Sequence, residues 1–524
     1  YALISDLAVQ TIDAVSVPLR PELGFKLLAA IIKEIQPKAI ILQFSESTVR
    51  ILYDEKLRKS VQNIILIKPV PDLEDVPHKT LKELIEHNSD ETLSIDHSPT
   101  QDSLILYTTI PSGEYKGVVL THGNIMATLT DIYMKIPFTS KDIIYTDLPV
   151  TYAYGRIVAF YYAIYNSAAI ALADTKRELI SDLTTIKPTI MCSVPATYEK
   201  LRKILLEHIN HLSEFEKMVV KDALRKADYY LRIKESTHPV FAFSKFLYKL
   251  NFDFAENVIF PSLRDLLGGK LKILITGAAK CDETLLRFFN SIGLLLIEGY
   301  GLTETCGVIS ANSKKEYLAG SVGKPLNSIE LKILKDGEIR VKGPTIMKGY
   351  YNDEAATKNI FDENGYLKTG DIGYMNSKGY LFITGRTYDV ILLSTGKEIN
   401  APLIEEKLTS TEYIKHAYVS GEGKKYPVLL VVPDFEKLKS ITAELNLKEV
   451  NIKNLIKEPR IIRFYQSLIE EQLYTLPLDH QIKNFALLEN EFTVETGELT
   501  LTGKLRRNVI EKKYASIIKK IYKK

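Results

Sequence analysis

Along the first part of the chain, to about Arg386, short apolar runs alternate with longer mixed stretches of helical period. The runs are Ala39–Phe44, Asn63–Lys68, Ser103–Thr109, Asp142–Pro149, Ala168–Asp174, Pro188–Val194, Leu271–Gly277 and Leu294–Gly299. They are rich in Ile, Leu and Val, and several close on Gly or Pro, which predicts strands buried on both faces. Their alternation with helical stretches predicts βαβ units and mainly parallel sheet. Lys200–Phe260 breaks this rhythm, being long, charged, strand-poor and periodic, and is read as a helical insertion. After Gly323 the pattern changes. Ser328–Leu334 and Glu338–Lys342 flank Lys335-Asp336-Gly337, and Asp-Gly between β-prone runs predicts a hairpin. Tyr366–Gly385 repeats the arrangement around Asn376–Gly379. From Asp389 onward, short strands (His416–Val419, Pro427–Val432) mix with helices (Ala401–Leu408, Arg460–Leu473).

The expected fold class is therefore α/β. A large N-terminal domain, 1–387, has mainly parallel sheets sandwiched by helices, with the helical insertion at about 200–260 and a β-rich subdomain at about 323–386. A smaller α+β domain follows over 388–524, with the cut near Arg386–Asp389. The length of 524 residues agrees with several domains of ~100–200 residues each.

Composition narrows the function classes. A hydrophobic content of 45% excludes a disordered chain, and 68 basic against 65 acidic residues give +3, which demands no nucleic acid. The 3 cysteines form neither a disulfide framework nor a metal-ligand spacing. No apolar run reaches the ~18 residues of a membrane span, and no signal-peptide pattern opens the chain. A cytoplasmic protein is expected. Lys512-Lys513, Lys519-Lys520 and Lys523-Lys524, interleaved with Ile517, Ile518 and Ile521, fit either a solvated terminal helix or peripheral contact at the inner face of a membrane.

Four loops carry the candidate chemistry. Tyr107-Thr108-Thr109-Ile110-Pro111-Ser112-Gly113-Glu114-Tyr115-Lys116-Gly117 follows an apolar run. Its hydroxyls, glycines and lysine can face phosphate oxygens, although it is not a Walker A loop. Glu298-Gly299-Tyr300-Gly301-Leu302-Thr303-Glu304-Thr305 also ends a strand-like run, the usual place for ligands in open α/β sheets. Tyr300 offers a face for a base, and Thr303 and Glu304 offer hard oxygens for Mg²⁺. Thr369-Gly370-Asp371 with Gly385-Arg386 brings a carboxylate suited to ribose hydroxyls and a guanidinium suited to a sugar or phosphate. Thr502-Gly503-Lys504-Leu505-Arg506-Arg507 is a basic loop near the C-terminus. Each loop taken alone also fits an ordinary polar turn. No G-x-G-x-x-G and no G-x-S-x-G elbow is present, which argues against dinucleotide binding and α/β-hydrolase chemistry.

In this order and at these separations, the loops resemble the adenylate-forming superfamily, most closely its AMP-forming long-chain acyl-CoA synthetases. Tyr300-Gly301-Leu302-Thr303-Glu304-Thr305 is identical to the family's Y-G-L-T-E-T core. Lys187–Lys200 resembles the K-P-T-x-x-x-x-V-P-x-x-Y-E-K segment of the long-chain branch, and Leu271–Phe289 its S-G-A-A-P-L region. The resemblance implies two steps: a fatty acid attacks the α-phosphate of ATP, giving acyl-adenylate and pyrophosphate, and the thiol of CoA then displaces AMP. It further implies residue roles. Thr108, Thr109, Ser112, Gly113 and Lys116 would hold the pyrophosphate end. Gly277, Ala278, Ala279, Tyr300 and Gly301 would line the adenine and acyl junction. Thr303 and Glu304 would hold Mg²⁺, and Asp371 and Arg386 the ribose. Lys504 would serve the first step. Ser394, Thr395, Gly396 and Lys397 would face CoA after the mobile C-terminal domain rotates. Tyr152 and Tyr154, in the aromatic stretch Thr151–Tyr165, would border the acyl tunnel.

The chain also departs from the family. Its phosphate loop normally reads near Y-T-S-G-T-T-G-x-P-K-G. Here Thr109 replaces Ser, Ile110 a Gly, Pro111 a Thr and Tyr115 the Pro. Losing a glycine hinders close backbone approach, and Pro111 removes a donor N–H. Tyr388 stands at the hinge position, where Asp or Lys is usual. Ile4–Leu19 resembles a segment that normally lies well inside the fold, so the family's first strands are expected to be absent. Two alternatives stay open: transfer to an acyl carrier protein in place of CoA, and a degenerate, non-catalytic nucleotide- or acyl-binding homologue.

Overall fold

The computed structural model describes residues 1–20, 23–43, 45–69, 76–86, 97–110, 115–173, 177–235, 242–394, 398–445, 447, 451–474, 476, 481–500 and 503–523. They fall into two compact units. The first comprises Tyr1–Thr108, Lys116–Glu330 and Val341–Leu367; the second comprises Leu331–Arg340, Lys368 onward, and the described residues Thr109, Ile110 and Tyr115.

In the first unit, a seven-stranded sheet runs in the order Lys324–Pro325, Ser310–Ala311, Leu295–Tyr300, Ile273–Thr276, Ile190–Ser193, Ile143–Thr146, Ala169–Leu172. The last five of these strands are parallel, with Leu295 opposite Ile273 and Met191 opposite Leu274. Apolar runs make this sheet because both faces are covered. All four residues of Ile190–Ser193 are buried, and Leu274, Leu285, Phe289 and Leu296 share one core with Tyr198, Leu201 and Leu205. Ala169–Leu172 departs from the expected double burial: it is the outermost strand, and its two end residues are exposed. A smaller parallel sheet of Ala39–Leu42, Asn63–Leu66 and Lys79–Thr80 has its own core around Leu28, Leu52 and Leu57.

The run at Ser103–Thr109 forms a strand, Asp102–Thr109, but outside any βαβ unit. The next element is the strand Tyr115–Thr121, and both join Gly349–Tyr350 in a three-stranded sheet. The insertion consists of helices Pro195–His211, Glu214–Glu235 and Ala242–Phe254. Proline at the first helical position of Pro195–His211 starts that helix slightly before the expected bound.

The second unit begins with a four-stranded sheet, Glu330–Ile333, Glu338–Lys342, Leu367–Met375 and Leu381–Arg386. Gly337 takes the left-handed conformation (φ 85°) that the Asp-Gly hairpin requires. Further on, Ile414–Ser420, Val428–Pro433 and Asn484–Leu487 form a three-stranded sheet covered on both sides. Along Val428–Pro433 the alternation of side chains divides two cores: Leu429 and Val431 face helices Ala401–Thr409 and Pro459–Leu473, whereas Val428, Leu430 and Val432 face the C-terminal helices. Those helices, Arg507–Lys513 and Ala515–Ile521, bury Ile518 and Ile521, with Ile517 packed beside them. The apolar face that suggested membrane contact is thus spent on this core. Among the described residues, no helix is long and apolar enough to cross a membrane.

Candidate active site

At the carboxyl ends of the neighbouring parallel strands Ile273–Thr276 and Leu295–Tyr300, two loops come together. A Cβ added at Gly277 would lie 3.2 Å from the Gly299 carbonyl oxygen, so glycine keeps this approach open. Ala278 adopts φ 64°, a left-handed turn that directs the chain away from the sheet. Gly301 is more constrained. A Cβ there would meet the Gly307 oxygen at 2.4 Å and the Val308 Cα at 2.7 Å, which are backbone atoms that cannot step aside. Thr303–Thr305 closes as one turn of 3₁₀-helix, with buried Thr305 accepting the Leu302 N–H at 2.9 Å.

Tyr154 opens a π-helix, Tyr154–Tyr161, and lies beside Gly277. Its hydroxyl donates to the carbonyls of Ile275 (2.8 Å) and Ser193 (3.2 Å), and burial raises its pKa. The π-helix is anchored by Arg156, the largest fully buried side chain among the described residues, whose Nη1 lies 2.5 Å from Asp6 Oδ1. Tyr161 donates to the other oxygen of Asp6 at 2.6 Å. Tyr152 is half-buried, with the Arg20 guanidinium 4.3 Å from its ring centroid.

Glu304 is half-buried, and its Oε1 accepts the Tyr350 hydroxyl at 3.0 Å. Burial, together with this carboxylate, raises the pKa of Tyr350 and keeps it a donor. Mg²⁺ takes a shell of hard oxygens, chiefly water and phosphate, with one or two carboxylates. Glu304 and the Thr303 hydroxyl fit that demand, with phosphates completing the shell. Among the described residues, no group of three or more His, Cys, Asp or Glu gathers to hold a metal unaided.

Thr108 and Thr109 end their strand, and Lys116 is the second residue of the next; Ser112 and Gly113 lie outside the described residues. Lys116 Nζ stands 2.6 Å from Asp353 Oδ2, and this hydrogen bond holds the Asp353 carboxyl below its usual range. Gly117 is dictated by packing, since a Cβ would lie 2.8 Å from a methyl of Ile105.

In the second unit, Asp371 and Arg386 sit opposite each other on neighbouring antiparallel strands, with Nε to Oδ1 at 2.8 Å. Asp371 is buried and Arg386 half-buried. Lys504 belongs to the same neighbourhood. The residue is exposed as a whole, yet protein packed around its ammonium and the nearby Arg386 charge lower its pKa to about 8, against the opposing pull of Asp371 and Asp389. Ser394 is exposed, with its N–H donating to the Lys424 carbonyl at 2.9 Å; Thr395, Gly396 and Lys397 lie outside the described residues.

Several side chains at these loops escaped the sequence reading. Glu298 is 4% exposed, accepts the Cys281 N–H at 3.0 Å, and is pushed by burial up to about 7. A lone charge closing the run Leu294-Leu295-Leu296-Ile297 was the available signal. Tyr350 and Asp353 had none, because their partners are remote in sequence. In sequence, Arg507 is one residue of a basic loop that alone fits an ordinary polar turn. Instead it donates to both oxygens of Glu405 (3.0 and 2.5 Å) and to Asp389 (2.5 Å).

Comparison with known proteins follows the same outline. Residues 1–351 match the family model described as AMP-binding enzyme, and residues 388–524 match the AMP-binding enzyme C-terminal domain. The chain is 26% identical over 551 residues to the peroxisomal long chain acyl-CoA synthetase 6 of Arabidopsis thaliana, covering 99% of this chain and 76% of that protein. It is also 26% identical over 579 residues to the chloroplastic long-chain-fatty-acid–[acyl-carrier-protein] ligase AEE15 of the same plant, covering 99% and 77%. Among solved structures, ATP-bound MatB from Rhodopseudomonas palustris shares the fold with a TM-score of 0.69 at 20% identity, covering 98% of this chain and 87% of that one. Two strand-end loops that only glycine can close, an Asp–Arg pair with a lysine of lowered pKa beside it, and family models spanning both parts of the chain agree: the chain belongs to the AMP-binding enzyme family of adenylate-forming ligases.

Proposed function

We propose that this ligase activates a long-chain fatty acid with ATP and then transfers the acyl group to CoA, releasing AMP and pyrophosphate. The observation that carries the proposal is the meeting of Gly277-Ala278-Ala279 with the Gly299–Thr305 loop at adjacent strand ends, where Gly277 and Gly301 allow close backbone approaches that a Cβ would obstruct. The long-chain relative spanning nearly the whole chain supports the substrate class.

A carboxylate is a poor acyl donor because its leaving group would be oxide, whereas AMP departs readily once the mixed anhydride exists. Transfer at phosphorus is catalysed mainly by positioning and by neutralising charge. Thr108, Thr109, Ser112, Gly113 and Lys116 would bind the pyrophosphate end. Tyr300 and Gly301, with Gly277, Ala278 and Ala279, would hold adenine and the acyl junction. Asp371, paired with Arg386, would accept both ribose hydroxyls. Lys504 would neutralise charge developing at the α-phosphate. Mg²⁺ bound with the nucleotide would be held by Thr303 and Glu304 and would offset phosphate charge. The domain over 388–524 would pivot near Tyr388 between the steps, offering Ser394, Thr395, Gly396 and Lys397 to the pantetheine arm. Tyr152 and Tyr154 would border the acyl chain.

The experiment is AMP release from Mg²⁺-ATP with fatty acids of graded length, with and without CoA. Fatty-acid-dependent AMP that rises when CoA is added supports the reading. No AMP across the series leaves a nucleotide-binding homologue without ligase activity. A carrier protein as acceptor is the second reading, favoured by the carrier-protein ligase among the relatives. Replacing CoA by holo-acyl carrier protein in the same assay separates the two.

A further inference from the structure

The strand that carries Lys116 is stitched along its length to a turn far away in sequence. Gly349 and Tyr350 pair antiparallel with Val119 and Val118, and the Tyr351 N–H donates to the Gly117 carbonyl at 2.7 Å. From this turn two side chains reach functional groups: the Tyr350 hydroxyl meets Glu304, and Asp353 Oδ2 meets the Lys116 ammonium. The turn is rigid. Asp353 Oδ1 accepts the Ala356 N–H at 2.9 Å, capping helix Glu354–Ile360, and Thr357 Oγ1 donates to the Asp353 carbonyl while accepting the Tyr350 N–H. One carboxylate thus does two jobs with two oxygens. The cap fixes Oδ1 and so fixes where Oδ2 stands. The Lys116–Asp353 pair is only 23% and 25% exposed, so it is poorly screened, yet it remains open enough for an anion to reach the ammonium.

We propose that Asp353 is a positioning residue: it is the resident counter-ion of Lys116, competing with bound polyphosphate for the ammonium and so easing the departure of pyrophosphate. The proposal rests on the ligase reading insofar as Lys116 meets polyphosphate. Before substrate arrives, the carboxylate holds the Lys116 ammonium in place through their contact. Phosphate oxygens must then displace a partner already in place, which weakens their hold by the strength of that pairing. When pyrophosphate leaves, the carboxylate retakes the ammonium. A carboxylate acting only as a helix cap would have no effect on anion affinity.

The test is calorimetric titration of the full chain with sodium pyrophosphate, in wild type, Asp353→Asn, Asp353→Ser, Lys116→Met and the paired variants. Asparagine and serine both preserve the cap while removing the charge. If either variant fails to fold, the other decides. The expected result is pyrophosphate binding roughly two- to five-fold tighter in Asp353→Asn and Asp353→Ser, the range of a partly exposed ion pair. The gain should vanish in the Lys116→Met background. Unchanged affinity overturns the proposal, and so does a gain that persists without Lys116, because that would reflect general loss of negative charge. A wild type that binds no pyrophosphate overturns it as well. A chain with the expected cycle that forms no AMP from any fatty acid defeats the ligase reading and leaves the counter-ion role standing. AMP formation with no change in pyrophosphate affinity does the reverse.

Discussion

Lys504 and Glu298 are displaced from their ordinary pKa values by the same cause, burial, and in opposite senses of charge. For Lys504 the charged form is the one penalised, so the ammonium is lost as pH rises through about 8 rather than the ~10.4 of a free lysine. If the ammonium serves the α-phosphate, fatty-acid-dependent exchange of pyrophosphate into ATP should fall on the alkaline side from about pH 8. Lys504→Arg, charged throughout, should carry that limb out of the measured range. A limb that ignores the substitution would remove the assigned role. For Glu298, the folded pKa of about 7 lies above the ~4.3 of an unfolded glutamate, so the folded state holds the proton more tightly. Stability should therefore decline as pH rises from about 4.5 to about 7, and then level off. Glu298→Gln keeps an acceptor for the Cys281 N–H and removes the ionisation. It should leave stability near pH 4.5 almost unchanged and raise it at pH 8, by an amount of order 1–3 kcal/mol, read from urea midpoints at the two pH values. This residue also marks a limit of sequence reading: a charge ending an apolar strand is visible as an anomaly, but its backbone partner is not.

At the scale of elements, the loop after Leu295–Tyr300 tests whether glycine there is a matter of conformation or of space. Gly301 takes no left-handed φ, so the requirement is contact alone. Gly301→Ala should force the Gly307–Val308 backbone outward, costing about 1–3 kcal/mol of stability. Adenylation should fall by a larger factor, because Tyr300, Thr303 and Glu304 move with the loop. Thermal unfolding and pyrophosphate exchange measured together check this, and full activity in the variant would contradict it. The eight apolar runs all became strands, those of the sheet centre, such as Ile190–Ser193, because burial on two faces forces a continuous apolar pattern, whereas Ala169–Leu172 is a strand at the sheet edge without it. The strands the pattern missed include Tyr115–Thr121, whose start lies in the stretch read as a phosphate loop, and two very short ones. Ser310–Ala311 and Lys324–Pro325 are two residues each, too few for any period, and their place is fixed by pairing with Leu295–Tyr300 and with each other. Likewise the four loops could be read because the motifs they resemble are local in sequence. The Lys116–Asp353 contact spans 237 positions and could not be. The Arg507 network is of the same kind. Arg507→Met would leave Glu405, buried and raised in pKa, without its guanidinium, at a cost of about 3–5 kcal/mol. A second change, Glu405→Leu, should recover much of that loss in urea unfolding.

At the scale of the whole molecule, the proposed chemistry asks one chain to present two different sets of groups to one acyl carbon in succession. Lys504 is tied to the rest of its unit through a short path. Gly503 makes a turn with φ 77°, the Thr500 N–H donates to the Lys504 carbonyl at 2.7 Å, and Arg507, three residues on, is bonded to Asp389 beside the proposed pivot. A rotation about Tyr388 would thus carry the lysine with it, because the Arg507–Asp389 bond ties its loop to the chain just past the pivot. On that reading the lysine would be needed when phosphorus is attacked and absent when the thiol attacks the acyl carbon. Lys504→Ala should reduce AMP formation from fatty acid and ATP by at least about a hundredfold, the scale at which removing one charge-stabilising donor acts. The same variant, given preformed acyl-adenylate and CoA, should yield thioester within a few-fold of wild type. Equal loss in both half-reactions would mean that Lys504 maintains the fold or binds CoA rather than serving adenylation. Equal retention in both would mean that the charge at the α-phosphate is met by some other group, with Arg386, beside Asp371, the nearest candidate.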